Sequence, residues 1–226
     1  MTTQTQPAPN VLVYLFADVF AGPVKGLNAL AGGMVAPRSG SKVNLQQLVT
    51  NLYVAAVLEL AQANTASLET VEVKKLFGKE NVLALKLGQT PPAGLSFLAA
   101  QMAEKVQAAQ KPADRRMREV VIRMVGGRGS TQYPWLKAIA PVIAAVEGDG
   151  YVRRPEKKPG LMKAMFNPLE ANTQVEAVLE LVNPLEPAVE AFKQQLARFE
   201  QSLGPLAATL RKEIENGVNE CKDHSD

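Results

Sequence analysis

The sequence predicts a mostly α-helical protein with a small β-hairpin: a helical bundle with winged-helix-like units and a C-terminal helical hairpin. Apolar residues recur at three- and four-residue spacing over much of the chain, which is typical of amphipathic helices. The period changes to two around residues 68–87, as a strand pair requires. Aromatic residues make up only 5% of the 226 residues, so the core is built mainly from Ala, Leu and Val, which favours helix packing.

The chain is predicted to have three parts. Residues 1–10 are polar with two prolines, and we expect a disordered tail there. Residues 11–169 form a helical core domain that contains the hairpin at about 68–87. Residues 170–226 form amphipathic C-terminal helices.

Residues 11–36 are an apolar stretch long enough to cross a bilayer. A charge within a membrane span is unfavourable by about 2.5–3.5 kcal/mol, and charged and polar residues interrupt this stretch. We therefore expect a short element over Val11–Phe20 that packs on the core and a helical piece over Val24–Leu30, with a membrane span as the alternative. The interrupting residues are Asp18, Lys25 and Asn28.

The chain is organised around residues 43–88, a central helix followed by a two-stranded ribbon. The apolar face of the central helix begins at Leu45 and is so wide that little of the helix surface is polar. Such a helix is typically packed on several sides. Asn44 is the predicted N-cap, because its side-chain oxygen can accept a free backbone N–H. The helix is expected to end near Ala63–Thr65.

The ribbon follows directly. Val71 and Val73 alternate with polar residues, and Leu83 and Leu85 alternate with Ala84 and Lys86 after the turn predicted at Gly78–Asn81. Alternation on both sides of such a turn indicates a hairpin with one buried face. A helix that continues through residues 66–77 is the alternative.

Residues 133–154 are predicted to form a second helix–turn–strand unit like that of residues 43–88, with further helices before and after it. A helix that begins at Tyr133–Trp135, the stop at Gly148–Gly150 and a short strand over Tyr151–Arg154 repeat the winged-helix-like order. Apolar residues stepping by three and four then form a coiled-coil-like seam near the C-terminus. The seam residues are Val189, Phe192, Leu196, Phe199, Leu203, Leu206, Leu210, Ile214 and Val218.

The net charge of +3 is unevenly distributed: residues 111–169 carry +7 and residues 170–226 carry −6. The basic middle and the acidic end could attract each other, or the middle could face an anionic partner. Guanidinium groups bind phosphate and carboxylate bidentately, so we take the basic residues of this region as a candidate anion-binding site. They are Arg115, Arg116, Arg118, Arg123, Arg128, Arg153, Arg154, Lys157 and Lys158.

The sequence points to no catalytic or metal-binding residues. The single cysteine, Cys221, and the single histidine, His224, lie in a polar C-terminal tail that we expect to be frayed. Gly126–Gly129 lacks the Lys and the Ser or Thr of a P-loop. We therefore expect no bound cofactor, no metal and no intrachain disulfide. Carboxylates can still meet in space, so an enzyme with a cryptic pocket remains an alternative.

Four short segments carry a resemblance to a known family: Leu58–Leu60, Gln89–Leu95, Glu119–Ile122 and Gly150–Val152. In these segments and in the order of its elements, the chain resembles the Golgi phosphoprotein 3-like family over about residues 44–170. The resemblance implies a helical fold that binds phosphoinositide-bearing membranes and adapts other proteins to them. The family's Arg-containing segment after the central helix is Ala61–Asn64 here, so no binding residue is carried over.

These observations together predict a non-enzymatic cytoplasmic adaptor or scaffold, with peripheral attachment to membranes as a further expectation. Its basic face would meet an anionic membrane surface or an acidic protein partner, and residues 185–218 could mediate self-association. The alternative is a winged-helix-like nucleic-acid-binding protein. The near absence of charge in residues 133–147, where a recognition helix would lie, counts against that alternative.

Overall fold

A computed structural model describes residues 7–24, 33–75, 78–155 and 173–224. The described chain is mostly helical, as the sequence predicts. Short 3-10 turns over Pro112–Arg115 and Asn183–Leu185 precede two of the helices. The helices are α1 (Pro9–Leu15), α2 (Ala17–Phe20), α3 (Leu45–Gln62), α4 (Phe97–Gln107), α5 (Met117–Val125), α6 (Pro134–Gly148), α7 (Leu179–Val182), α8 (Glu186–Leu203) and α9 (Pro205–Asn219).

The described strands form antiparallel two-stranded sheets, each between strands that follow one another in the chain. The longest sheet is the ribbon, which pairs Ala66–Lys75 with Gly78–Leu87, and the other pairs contain two or three residues per strand. The strands are β1 (Gly33–Val35), β2 (Lys42–Asn44), β3 (Ala66–Lys75), β4 (Gly78–Leu87), β5 (Val152–Arg153) and β6 (Glu176–Ala177).

The chain divides into two compact units. The first unit comprises residues 1–52 and 139–195, and the second comprises residues 53–138 and 196–226. The domain boundary predicted between residues 169 and 170 lies outside the described residues, so the three-part division stays a prediction.

Helix α3 confirms the predicted central helix. The side-chain oxygen of Asn44 accepts a hydrogen bond from the backbone N–H of Gln47 at 3.0 Å, as expected of an N-cap. Leu48 and Val57 are among the side chains that are almost fully buried. The helix ends before Asn64, whose φ of 53° places it in the left-handed region, a conformation that Asn tolerates better than most residues.

The ribbon confirms the hairpin over about residues 68–87 and excludes the helical alternative for residues 66–75. Its register pairs Lys75 with Gly78, so the reversal comes before Gly78–Asn81, and the predicted turn position is wrong. Since Val71 pairs with Val82, Val71 lies on the face opposite to Leu83, and the prediction of one buried face is wrong as well.

The first unit contains the N-terminal helices. Residues 1–6 of the predicted tail lie outside the described residues, whereas Pro9 and Asn10 begin α1 and Asn10 is buried. The expected element over Val11–Phe20 is present as α1 and α2, and the piece expected over Val24–Leu30 falls almost entirely outside the described residues. Phe20 contacts Phe192 of α8 with ring centroids 6.0 Å apart.

The second unit is held together by the contact between α5 and α9. Gly217 of α9 lies so close to α5 that a Cβ added there would be 2.8 Å from the Cβ of Val121 and 2.9 Å from the backbone oxygen of Arg118. Only glycine fits this crossing without displacing backbone atoms. The buried residues Leu210, Ile214 and Val218 of the predicted seam lie on the same helix.

The chain beyond α9 is part of this unit, so the expectation of a frayed tail is wrong as far as the described residue Asp223. The backbone N–H of Thr131 donates to Cys221 at 3.1 Å, and that of Asp223 donates back to Thr131 at 2.8 Å. Cys221 is buried, and its Sγ donates to the backbone oxygen of Gly217 at 3.3 Å. These contacts anchor the segment because its backbone groups and its thiol find partners inside the fold.

The predicted seam is buried at its two ends, whereas its middle residues Phe199, Leu203 and Leu206 are half-buried. Val189, Phe192 and Leu196 of α8 are each no more than 6% exposed. Gly204, with φ 53°, separates α8 from α9. Self-association through residues 185–218 stays a prediction.

Candidate anion-binding site

Arg118, on α5, is bound by two carboxylates at the chain's C-terminal end. Its Nε and Nη2 donate to Glu213 at 3.1 and 2.8 Å, and its Nη1 donates to Glu220 at 3.2 Å. The hydrogen bond to Glu213 raises the pKa of the Arg118 guanidinium, and the negative charges of both glutamates add to this effect. The bidentate contact to Glu213 is the geometry that makes an Arg–carboxylate pair specific.

Arg128 and Arg123 are paired in the same way. Nε of Arg128 donates to Glu220 at 3.0 Å, and its Nη2 donates to Glu119. Arg123 lies 2.7 Å from the carboxylate of Asp114, and its hydrogen bond lowers the pKa of Asp114. Three members of the predicted site are therefore neutralised by carboxylates of their own unit.

Glu220 bridges two of these arginines, because one of its oxygens accepts from Arg118 and the other accepts from Arg128. The bridge lies beside the close approach of α5 and α9 at Gly217. The basic surface of α5 therefore stabilises the docking of the C-terminal helix. Of the two alternatives that the charge distribution left open, the geometry here supports mutual attraction.

Arg115 and Arg116 differ from the other arginines of α5 and its preceding turn. Both residues are half-buried, and the Nε atom of each is buried without a hydrogen-bond partner. The backbone of Arg116 is held by an antiparallel bridge to Ala84 of β4. The two guanidinium groups are thus attached to a well-anchored segment and retain unused donors, which is the arrangement an anion could complete.

The remaining candidates belong to the first unit or lie outside the described residues. Nε of Arg154 donates to both carboxylate oxygens of Glu147 at 3.2 Å. Arg153 lies on β5 and is exposed. Lys157 and Lys158 lie outside the described residues. The patch predicted as one site is therefore divided between the two units.

Sequence reasoning missed the acidic partners Glu119, Glu213 and Glu220. One signal was available: Glu213 and Glu220 are seven residues apart, which places them on one face of a helix. What the sequence lacks is the partner, because the hydrogen bonds from Arg118 span 95 and 102 positions. Pairing at that separation depends on the fold rather than on local pattern.

Two features are absent from the described residues. Among them, no cluster of three or more His, Cys, Asp and Glu side chains is placed to hold a metal ion. In the part of the chain that the structure describes, no helix combines the length and the apolar character needed to span a membrane.

Comparison with known proteins identified no relative. No protein-family model matches the chain, and neither a curated protein nor a solved structure matches it.

Proposed function

We propose that the protein is a non-enzymatic cytoplasmic adaptor that binds an acidic protein segment through Arg115 and Arg116. The observation that supports this proposal most directly is that neither arginine has a carboxylate partner among the described residues, whereas Arg118, Arg123 and Arg128 do. A carboxylate from another molecule would bind the accessible donors of each half-buried guanidinium with charge-assisted hydrogen bonds.

The number of available arginines favours a protein over a membrane as the anionic partner. Basic segments bind anionic lipid with roughly 1 kcal/mol per residue, and clusters of about 4–8 Lys and Arg are typical. Of the candidate anion-binding residues in the described part of the second unit, Arg118, Arg123 and Arg128 are already paired, which leaves Arg115 and Arg116. Two residues supply too little for stable attachment to a bilayer. The phosphoinositide binding implied by the Golgi phosphoprotein 3-like resemblance is tested as a separate arm.

The proposal is tested by comparing single arginine substitutions of equal charge change. The probes are a fluorescent oligoglutamate peptide, vesicles with and without phosphatidylserine, and, as a separate arm, vesicles that contain a phosphoinositide. Arg115→Gln and Arg116→Gln should each weaken peptide binding by about tenfold, which corresponds to 1.4 kcal/mol. Arg123→Gln, which removes a positive charge that Asp114 already neutralises, is the matched control and should change binding little.

Each alternative outcome has a definite meaning. Equal losses for all three variants would show a diffuse charge effect and would overturn the assignment of Arg115 and Arg116. Binding to vesicles that requires phosphatidylserine, without binding to the peptide, would replace the protein partner with a membrane surface.

A second candidate function is a winged-helix-like nucleic-acid-binding protein. The order of α3 followed by β3 and β4, and of α6 followed by β5 and β6, favours it. Binding to duplex DNA that is tighter than binding to the peptide and falls steeply with salt would favour this candidate. Arg153→Gln, at the exposed position of β5, should then weaken DNA binding.

A further inference from the structure

The candidate anion-binding site lies beside the β3–β4 ribbon, and one bridge determines which ribbon residues are its neighbours. Ala84 of β4 forms an antiparallel bridge with Arg116, and it also pairs with Glu69 of β3. Residues directly opposite each other in antiparallel strands have their side chains on the same face. Arg116, Ala84 and Glu69 are therefore in one row across the ribbon, with the small side chain of Ala84 between the two charged residues.

Lys86 is on the same face of the ribbon as Arg116. It follows Ala84 by two residues in β4, and side chains two residues apart along a strand share a face. Because the bridge is antiparallel, the step from Ala84 to Lys86 runs in the direction that leads from Arg116 back to Arg115. Diagonal neighbours such as Lys86 and Arg116 have Cα atoms about 7–8 Å apart, so one bound segment can contact both.

The charge of Lys86 is available to a partner. Its side chain is exposed and has no carboxylate partner among the described residues. Lys79 of the same strand differs, because it pairs with Glu72 at 2.7 Å. Asp114, in the turn before α5, is already neutralised by Arg123. Lys86 therefore adds a positive charge on the side of the site where the turn lies.

Glu69 gives the opposite end of the row a negative charge. It is exposed and forms no ion pair with another described residue. Neighbouring strands are about 4.8 Å apart, so the Cα atoms of Glu69 and Arg116 are separated by roughly 10 Å. A carboxylate that approaches this end of the row is repelled, whereas a lysine or arginine is attracted.

We propose that Lys86 is a third binding residue of the anion-binding site and that Glu69 limits the acidic segment that the site accepts. Both roles rest on the proposed function, because the ligand is the same acidic protein segment. The carboxylates of the partner bind Lys86, Arg115 and Arg116, and a neutral or basic residue of the partner lies beside Glu69. The site thus favours a short acidic run over an uninterrupted one.

The role of Lys86 is tested by the binding of the fluorescent oligoglutamate peptide to variants of the full chain. Lys86→Gln should weaken binding about threefold, which is the size expected of an exposed charge pair. Lys79→Gln is the matched control. It removes the same charge from the opposite face of β4, where Glu72 already neutralises it, and should change binding little.

The role of Glu69 is tested with a second peptide, in which lysines follow a short run of glutamates. Glu69→Gln should tighten binding of oligoglutamate about threefold and weaken binding of the second peptide. Glu72→Gln, on the opposite face of β3, should do neither. All the substituted side chains are exposed, and circular dichroism checks that each variant is folded.

The results distinguish failure of these roles from failure of the proposed function. If Arg115→Gln and Arg116→Gln weaken binding while Lys86→Gln behaves like Lys79→Gln, Lys86 is outside the site and the proposed function stands. If Glu69→Gln leaves both peptides unaffected, Glu69 does not limit the segment. A chain that binds neither peptide would overturn both the proposed function and these roles.

Discussion

Replacing Gly217 with alanine tests whether the approach of α5 and α9 depends on the absence of a side chain. The added methyl would lie 2.8 Å from the Cβ of Val121 and 2.9 Å from the backbone oxygen of Arg118. Carbon atoms pack at about 3.5–4.0 Å, so the helices must separate by roughly 0.7 Å or more. None of these neighbouring atoms can rotate away, because they belong to the backbone or to the first carbon of a branched side chain.

The expected size of the effect follows from two opposing contributions. Overpacking a core is unfavourable by about 1–3 kcal/mol, and alanine gains about 1 kcal/mol over glycine within a helix. We expect Gly217→Ala to lower the free energy of unfolding by about 1–2 kcal/mol, because the steric contribution here is at the upper end. The corresponding fall in Tm is about 2–8 °C for a chain of this size.

Trp135 provides the assay. It is the only tryptophan, and its Nε1–H donates to Asn219 at the end of α9 at 3.0 Å. Its fluorescence during urea unfolding therefore reports the undocking of α9. Gly148→Ala is the matched control, because a Cβ at Gly148 meets nothing within 4 Å, and it should be neutral or stabilising by up to about 1 kcal/mol. If Gly217→Ala shifts stability in the same direction as Gly148→Ala, the steric reasoning is refuted.

Three further predictions concern buried polar groups. Burial raises the pKa of the Cys221 thiol, so a disulfide reagent should label it at least about tenfold more slowly in the native protein than in guanidinium. Burial also raises the pKa of Tyr14 and of Tyr53 above the ordinary 10.0. Because the native state then holds more protons than the unfolded state, stability should fall as the pH rises above about 10, and Tyr53→Phe should flatten that slope in alkaline unfolding curves. Glu59 accepts from the backbone N–H of Ser96 at 2.6 Å and from its hydroxyl, so Glu59→Ala should destabilise the protein by about 1–3 kcal/mol in urea titrations. Unchanged stability would show that this contact at the start of α4 is dispensable.

The spacing of apolar residues along the sequence was sufficient to predict helix α3 and the β-ribbon. The apolar residues of α3 and the cap at Asn44 were sufficient to place that helix, because both depend on neighbours within a few residues. The ribbon was predicted for the same reason, but its turn was placed late. Gly78 and Asn81 resemble turn residues, yet the register pairs Asn81 with Glu72, so the sheet's pairing overrides the local preference.

The sequence identified the basic residues of the candidate site but could not predict which of them are paired with carboxylates of the same chain. An arginine on an amphipathic helix looks the same whether it faces a partner or a carboxylate of its own chain. Arg118 and Arg115 are three residues apart, yet one is bidentate to Glu213 and the other has a buried Nε without a partner. That difference arises from where α9 docks, and α9 lies far away in sequence. Cys221 was placed in a frayed tail for the same reason, since its anchoring partner Thr131 is equally remote.

The second unit is formed from two segments that are far apart in the sequence, and this separation affects folding during synthesis on the ribosome. Glu213 follows Arg118 by 95 positions, and ribosomes add about 5–20 residues per second. The apolar side of α5 therefore waits roughly 5–19 s for the helix that covers it. During that interval Val121 and its neighbours are unprotected on the nascent chain, which is the period when a chaperone would engage it. A premature stop codon before α9 would make that exposure permanent and direct the product to degradation.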